Sequence, residues 1–224
     1  MGNFRRCEPV AGVGVMDVNV MTSPLTLQDL TTYDLTDNAS PDDRLTVTAH
    51  KAVVDAMEWG ETVSVSSDAV AAYCAATFQH TFEITVQAHT DYGAAYCWTI
   101  MNPGQSVTGP NYAVGMLLRN MSDVAPSFRL ALTRWNTLAE QSDSDYVDLG
   151  DVTGSSLYFR VTRTAATGIK AWVYSDAFHA QLLHAFNVSM LAGSTYSNLM
   201  AITHVVGPIA GSLSFDLENL SLGL

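Results

Sequence analysis

Lysine is almost missing from this 224-residue chain: Lys51 and Lys170 are the only two. Ten basic residues face 22 acidic ones, and the formal net charge is −12. Such a surface is poorly suited to displacing the counterions of a nucleic-acid backbone or to settling on anionic lipid. Neither nucleic acid nor membrane is therefore expected as a partner. Long apolar runs are missing as well. None approaches the ~18 residues that cross a bilayer. The amino-terminal MGNFRRCEPV has two arginines but no apolar stretch of ~7–15 residues behind them, so no secretory signal is read there. Arg6 stands where a myristoylation motif needs Ser or Thr. Cysteine is scarce and odd in number: Cys7, Cys74 and Cys97. Free, partly buried thiols are expected, with a Cys74–Cys97 pair across neighbouring strands as the alternative. With no export signal, the Asn-x-Ser triplets at Asn38, Asn120, Asn187 and Asn219 read as chance matches.

What is present is a core-forming composition, 48% apolar and only 14% charged, which argues against disorder. The clearest pattern runs from Leu157 to Tyr174. Leu157, Phe159 and Val161 alternate with Tyr158, Arg160 and Thr162. After Ala165-Ala-Thr-Gly168 the alternation resumes, with Ile169, Ala171 and Val173 against Lys170, Trp172 and Tyr174. A period of two means strands, because successive side chains point to opposite faces of a sheet. The gap is a hairpin turn.

Similar runs predict strands at Val13–Val20, from about Arg44, at Thr81–His89 and Tyr96–Met101, and at Val114–Arg119 and Phe128–Trp135. More follow at Thr137–Glu140, Tyr146–Leu149, Leu182–Val188, Leu199–Val206 and Leu213–Leu222. A short strand pair around Trp59-Gly60 is expected within Val53–Val65. Ala69–Ala76 reads as either a short helix or a buried strand. Met21–Asp43 carries turn chemistry at Ser23-Pro24 and Ser40-Pro41. Within Thr81–His89, Phe82, Ile84, Val86 and Ala88 are expected to face inward. The closing strand changes phase near Asn219, as a β-bulge would. Short strands, frequent turns and no helix of three turns predict an all-β protein: a two-sheet antiparallel sandwich over residues 13–224, preceded by an arm at residues 1–12.

Three segments carry a resemblance. They are Asp34-Leu-Thr-Asp37 leading to Asp43-Arg44-Leu-Thr-Val-Thr48, then Tyr158-Phe-Arg-Val-Thr-Arg163 with Gly168 and Val173-Tyr-Ser-Asp176, and finally Gly211 to Leu222. Together they resemble the concanavalin A-like lectin/glucanase superfamily of laminin-G-like jelly rolls. The resemblance implies one concave and one convex antiparallel sheet, with a last strand returning beside the first. It covers sugar-binding lectins, glycan hydrolases and lyases, and non-catalytic modules of adhesins and phage particles, so the fold alone does not choose the function.

The glucanases of that superfamily place Glu-x-Asp-x-x-Glu on one strand, and this chain has no such motif. Its nearest approach, Asp216-Leu-Glu218, offers two same-face carboxylates and no third, and is read as a solvated strand face. The six histidines show no metal-ligand spacing. The acidic loop Asp143, Asp145, Asp148, Asp151 is the candidate for calcium, which relatives of this fold often carry, although the EF-hand pattern is not met. Trp98, Trp135, Trp172, Tyr92, Tyr96 and Tyr112 are available to stack on sugars. The outward stripe Tyr158, Trp172, Tyr174 is the candidate glycan surface, with ordinary cross-strand packing as its plainer explanation. The sequence thus predicts a non-enzymatic structural or adhesion protein of a virus or phage particle, assembled in host cytoplasm. Its expected partners are further copies of itself, other virion subunits and cell-surface glycan. A glycan-active enzyme or a free carbohydrate-binding module of the same fold is the alternative.

Overall fold

The computed structural model describes residues 24–39, 43–58, 60–68, 73–74, 77–91, 93–101, 112–121, 127–136, 141–165, 168–189, 198–202 and 211–224. The amino-terminal arm, the Val13–Val20 strand, the Thr137–Glu140 strand and most of Ala69–Ala76 lie outside the described residues. Among the described residues the chain forms strands β1 (Thr26–Leu27), β2 (Asp34–Asp37), β3 (Leu45–Thr48), β4 (Lys51–Glu58), β5 (Val63–Ser67), β6 (Phe78–Asp91), β7 (Ala94–Met101) and β8 (Tyr112–Asn120). It continues with β9 (Phe128–Asn136), β10 (Gln141–Gly150), β11 (Ser156–Ala165), β12 (Gly168–Tyr174), β13 (Leu182–Ser189), β14 (Asn198–Ile202) and β15 (Gly211–Gly223). A 3-10 turn, Leu30–Thr32, is capped by the Asp29 side chain.

The strands form two antiparallel sheets. One has eight strands, ordered β13-β12-β11-β6-β15-β4-β3 with β1 beside β15; the other runs β10-β9-β8-β7-β14-β5-β2. The last strand returns to pair with β1, the first of the described strands, Thr26 opposite Leu222. Inward side chains of both sheets make one core. Phe82 of β6 stacks on Phe159 of β11 at 4.7 Å and lies parallel to Trp98 of β7 at 6.3 Å, so aromatic rings tie the two sheets together. Leu213, Phe215, Leu217, Leu220 and Leu222 are all buried, and each such side chain contributes roughly 2 kcal/mol on leaving water. The phase change that keeps this strand's leucines inward is the expected bulge. Register slips between Glu218 and Ser221, and Asn219 sits at φ +56°. Strand β7 is buried along its whole length on both faces, which suits a sequence apolar at every position but Thr99.

Four expectations are corrected. Asp34–Asp37, within the Met21–Asp43 stretch for which only turns are expected, is strand β2, the edge partner of β5. Strands β4 and β5 flank Gly60 but do not pair; they belong to opposite sheets, so the chain crosses the sandwich there. Ala88 is exposed, because a bulge between Val86 and Ala88, opposite Ser214 and Phe215, reverses the phase of β6. His89 turns inward instead, edge-on to Phe128 at 5.2 Å. The expected strand Tyr146–Leu149 is present but extends back to Gln141 as β10, paired with β9, so Asp143, Asp145 and Asp148 lie on a strand and not in a loop. Cys74 and Cys97 are both buried and free, and burial pushes each thiol up to about 12. One open side of the sandwich is closed by side chains. The Asp145 carboxylate of β10 accepts the Asn187 backbone N–H of β13 at 2.9 Å, and Arg134 of β9 donates to the Ser189 carbonyl at 2.6 Å.

Candidate functional site

Cross-strand pairing assembles the outer face of the eight-stranded sheet. On β11 and β12, Tyr158 lies opposite Tyr174 and Arg160 opposite Trp172. On the other flank of β11, Glu83 of β6 lies opposite Tyr158, and Thr81 opposite Arg160. The Arg160 guanidinium donates to the Gln79 side-chain carbonyl at 2.9 and 3.2 Å and lies 5.9 Å from the Trp172 ring. Tyr158 and Trp172 are half-buried. Tyr174 is only 6% exposed, because His179 stacks on its ring at 4.6 Å. The predicted stripe therefore narrows to Tyr158 and Trp172. Burial and the neighbouring Glu83 carboxylate push the Tyr158 phenol above its ordinary range. Of the other aromatic candidates, Trp98 and Tyr96 are buried in the sandwich; the side chains of Tyr92, Tyr112 and Trp135 lie outside the described residues.

The β12–β13 connection stands at one end of this face. Asp176 organises it. Its carboxylate accepts the backbone N–H groups of Phe178 at 3.0 Å and Ala180 at 3.1 Å, as well as that of Gln181 at 2.5 Å. Those bonds draw the Asp176 carboxyl below its ordinary range against the opposing pull of desolvation. His179 takes φ +55°, which lets the loop fold back over Tyr174. At its tip Phe178 is 91% exposed, and Leu182 and Leu183 follow, both more than two-fifths exposed. Ser175, the first residue of this loop, and Leu183, just past it on β13, border a depression of about 440 Å³. Its floor comes from the start of β11, Ser156 to Tyr158. The β10–β11 turn supplies another wall. It is fixed by Gly154 at φ +74° and by the Gly154 N–H, which donates to the Val86 carbonyl at 2.7 Å. Nothing periodic in the sequence marks Phe178. The usable signal was the Ser-Asp after β12, a side chain able to cap the turn that follows.

Of the four carboxylates proposed for calcium, the three whose side chains are described do not converge. Side chains alternate along β10, so Asp145 faces the same side as the part-buried Val147 and Leu149, while Asp148 faces the other. Asp148 pairs with Arg129 at 2.8 Å, and this guanidinium holds its carboxyl below the ordinary range. Asp151 accepts the Thr153 N–H at 2.9 Å as a turn cap. Asp145 is engaged by Asn187 and lies 3.6 Å from His184, a separation that makes an ion pair only when the histidine is protonated. The side chain of Asp143 lies outside the described residues. No group of three or more His, Cys, Asp or Glu residues able to hold a metal occurs among the described residues. These side chains do not fit a calcium site.

Asp216 and Glu218 are not a solvated face either. The Lys51 ammonium bridges both at 2.6 Å, Gln87 donates to Asp216 at 2.7 Å, and the Asp216 side chain is 6% exposed. The two carboxylates raise the Lys51 ammonium above its ordinary value.

No family model matches this chain, and no curated protein does. Solved structures do. A legume lectin-like domain from Entamoeba histolytica superposes with a TM-score of 0.54 at 10% identity, covering 89% of this chain and 94% of that one. The CBM2 module of the evolved Dit of Lactobacillus casei BL23 phage J-1 gives 0.52 at 10% identity, with 91% and 86% covered. The Ca²⁺-bound exoplasmic/lumenal domain of VIP36 gives 0.50 at 9% identity, with 87% and 89% covered. At such identities the likeness shows the fold alone: the chain is a concanavalin A-like jelly roll, a lectin-like β-sandwich.

Proposed function

We propose that this protein is a non-catalytic glycan-binding sandwich that serves as a structural or adhesion component of a virus or phage particle, on its capsid, fibre or tail. The observation that carries the binding function is the outer face around β11. Half-exposed Tyr158 and Trp172 stand there beside the planar donors and acceptors of Arg160, Gln79 and Glu83. A pyranose presents the same mixture, with apolar CH groups on its faces and hydroxyls at its rim, and it binds where a ring can stack and polar groups can bond at the edge.

Binding without turnover is supported by the state of the same-face carboxylates. Glycoside hydrolysis needs one carboxyl free to protonate a leaving group and another free to attack or activate water. Asp216 and Glu218 both serve the Lys51 ammonium instead. A role on a particle is supported by the shared fold of the phage Dit module, by the acidic surface, and by edge strands β2 and β3 that self-association would cover. Copies of itself and other virion subunits are then the protein partners.

Purified full-length protein incubated with a panel of polysaccharides tests the first part: retention on at least one of them with no release of reducing ends is expected. Turnover would overturn the non-catalytic assignment. Capsid, portal or tail genes flanking the reading frame are expected for a virion protein, and a neighbourhood of metabolic genes would count against that role. Mass photometry is expected to show an oligomer.

A further inference from the structure

We infer that the depression beside the β12–β13 loop is the principal saccharide subsite, that Phe178 is its stacking platform, and that it takes an uncharged pyranose at the end of a glycan. The inference rests on glycan binding as the function and names the site and ligand class for it. Its first support is the state of Phe178. A phenyl ring left 91% exposed forgoes roughly 2 kcal/mol of burial. It is not isolated: Leu182 and Leu183, just past the same loop, are also more than two-fifths exposed, and apolar side chains exposed together mark a contact surface.

The backbone that carries the ring is nonetheless held. Three backbone N–H groups around it, those of Phe178, Ala180 and Gln181, are bonded to Asp176, and the next residue, His179, is stacked on Tyr174. A loop backbone fixed before the ligand arrives leaves only the two side-chain torsions of the ring to be ordered on binding, which keeps the entropic cost of stacking low.

The second support is the chemistry of the depression. At about 440 Å³ it falls in the range of small-ligand sites. Ser155, Ser156, Ser175 and Tyr158 bring hydroxyls to its walls, and Leu157 and Leu183 bring apolar surface. None of the lining side chains carries a charge. Hydroxyls both donate and accept, so they match the hydroxyls of a sugar in either sense. An anionic sugar would instead call for a cation; Arg160 is directed to Gln79 and Trp172, and Lys170, exposed on the same face, stands four residues along β12 from Tyr174, the partner of Tyr158, and does not line the depression. Tyr158 belongs both to the depression and to the outer face, so a second sugar unit would run from it toward Trp172.

Isothermal titration and saturation-transfer NMR on the full chain test this, with gluco-, galacto- and manno-configured neutral trisaccharides and one sialylated trisaccharide as probes. At least one neutral probe is expected to bind. Phe178→Ala should weaken it about tenfold or more, the loss that one stacked ring accounts for. Ser155→Trp, which fills the depression from an exposed position, should do the same. Tyr146→Ala, which removes an exposed aromatic from the opposite sheet, should leave affinity unchanged. Thermal melts of the three variants should overlay the parent. Undiminished binding by both Phe178→Ala and Ser155→Trp would overturn this site and leave glycan binding standing. Preference for the sialylated probe would overturn the ligand class. Failure of every probe to bind would overturn the site and the glycan-binding function together.

Discussion

Acid should weaken this fold through one histidine. His80 faces inward from β6 and is fully buried. Its Nε2–H donates to the Tyr73 carbonyl at 2.7 Å, and its Nδ1 accepts the Trp98 indole N–H at 3.3 Å. Phe78 stacks on the ring at 4.4 Å. This arrangement fits only the neutral ring with its proton on Nε2. A second proton on Nδ1 would meet the Trp98 N–H head-on, in a site where desolvation already lowers the pKa to about 4. In the unfolded chain the ordinary value of 6.5 returns. Between those two values the unfolded state binds a proton that the folded state refuses, so stability falls as pH falls. Each unit costs up to about 1.4 kcal/mol, and the loss reaches about 3 kcal/mol by pH 4.

The window separates the histidine from the acids. The carboxyls of Asp29, Asp148, Asp151 and Asp176 lie below 3.8 in the fold and weigh in mainly under about pH 4. His179 is also lowered by burial and by Arg160, and so adds a slope of the same sign. A variant isolates His80. In His80→Gln an amide can still donate toward Tyr73 and accept from Trp98, but it cannot titrate. Urea unfolding at pH 7.0, 6.0, 5.0 and 4.5, followed by tryptophan fluorescence, would measure both proteins. The variant is expected to be less stable at pH 7 and to show a flatter pH dependence, by close to one proton between pH 6 and 4.5. Equal slopes would refute the reasoning. So would an NMR titration of folded protein in which the His80 ring takes up its proton near 6.5.

Two further outcomes follow from packing. A Cβ at Gly93 would collide with the Ser212 carbonyl oxygen and carbon, backbone atoms of the strand beside it. Gly93→Ala is therefore expected to lower the thermal midpoint with a cost of about 1–3 kcal/mol, and a midpoint equal to the parent's would show that β15 shifts freely there. Lys51→Met leaves the buried Asp216 with Gln87 as its side-chain donor among the described residues. Because Lys51 itself is over one-third exposed, a loss of about 1–2 kcal/mol is expected, less than for a fully buried pair. A double-mutant cycle with Asp216→Asn should show that most of this loss disappears once the carboxylate is gone, and additive losses would mean that the pair is not coupled.

The hairpin β11–β12 was legible because one of its faces is fully buried. A one-residue slip would turn Phe159, Val161 and Val173 to water, so the alternation is forced into the sequence. The bulge at Asn219 was legible for the same reason, since the leucines on either side of it must both point inward. Strand β2 was not legible, because Asp34-Leu-Thr-Asp37 is an exposed edge with no face to advertise. The pairing of β4 and β5 was misjudged because two short apolar runs beside a glycine look alike whether they fold into a hairpin or cross between sheets. His80 escaped notice because the strand was read from Thr81. Starting at Phe78 adds two inward positions, Phe78 and His80, and the second holds the histidine.

The same parity explains why the metal candidate dissolves while other groupings stand. Asp145 and Asp148 are three apart on one strand, which places them on opposite faces at any register. Counting carboxylates along a chain therefore overstates what they can hold together when the segment is extended. Convergence in a sheet comes from across strands and depends on pairings that a single sequence does not reveal. Lys51 meets Asp216 from 165 residues away, and Arg160 meets Gln79 from 81. The depression at the β12–β13 loop is built the same way, from the ends of three strands and two turns that alternation alone cannot bring together. Chemistry on a jelly roll of this kind is thus written in strand order and loop capping, and Asp176, which shapes the loop beneath Phe178, is the clearest single residue through which the sequence specifies it.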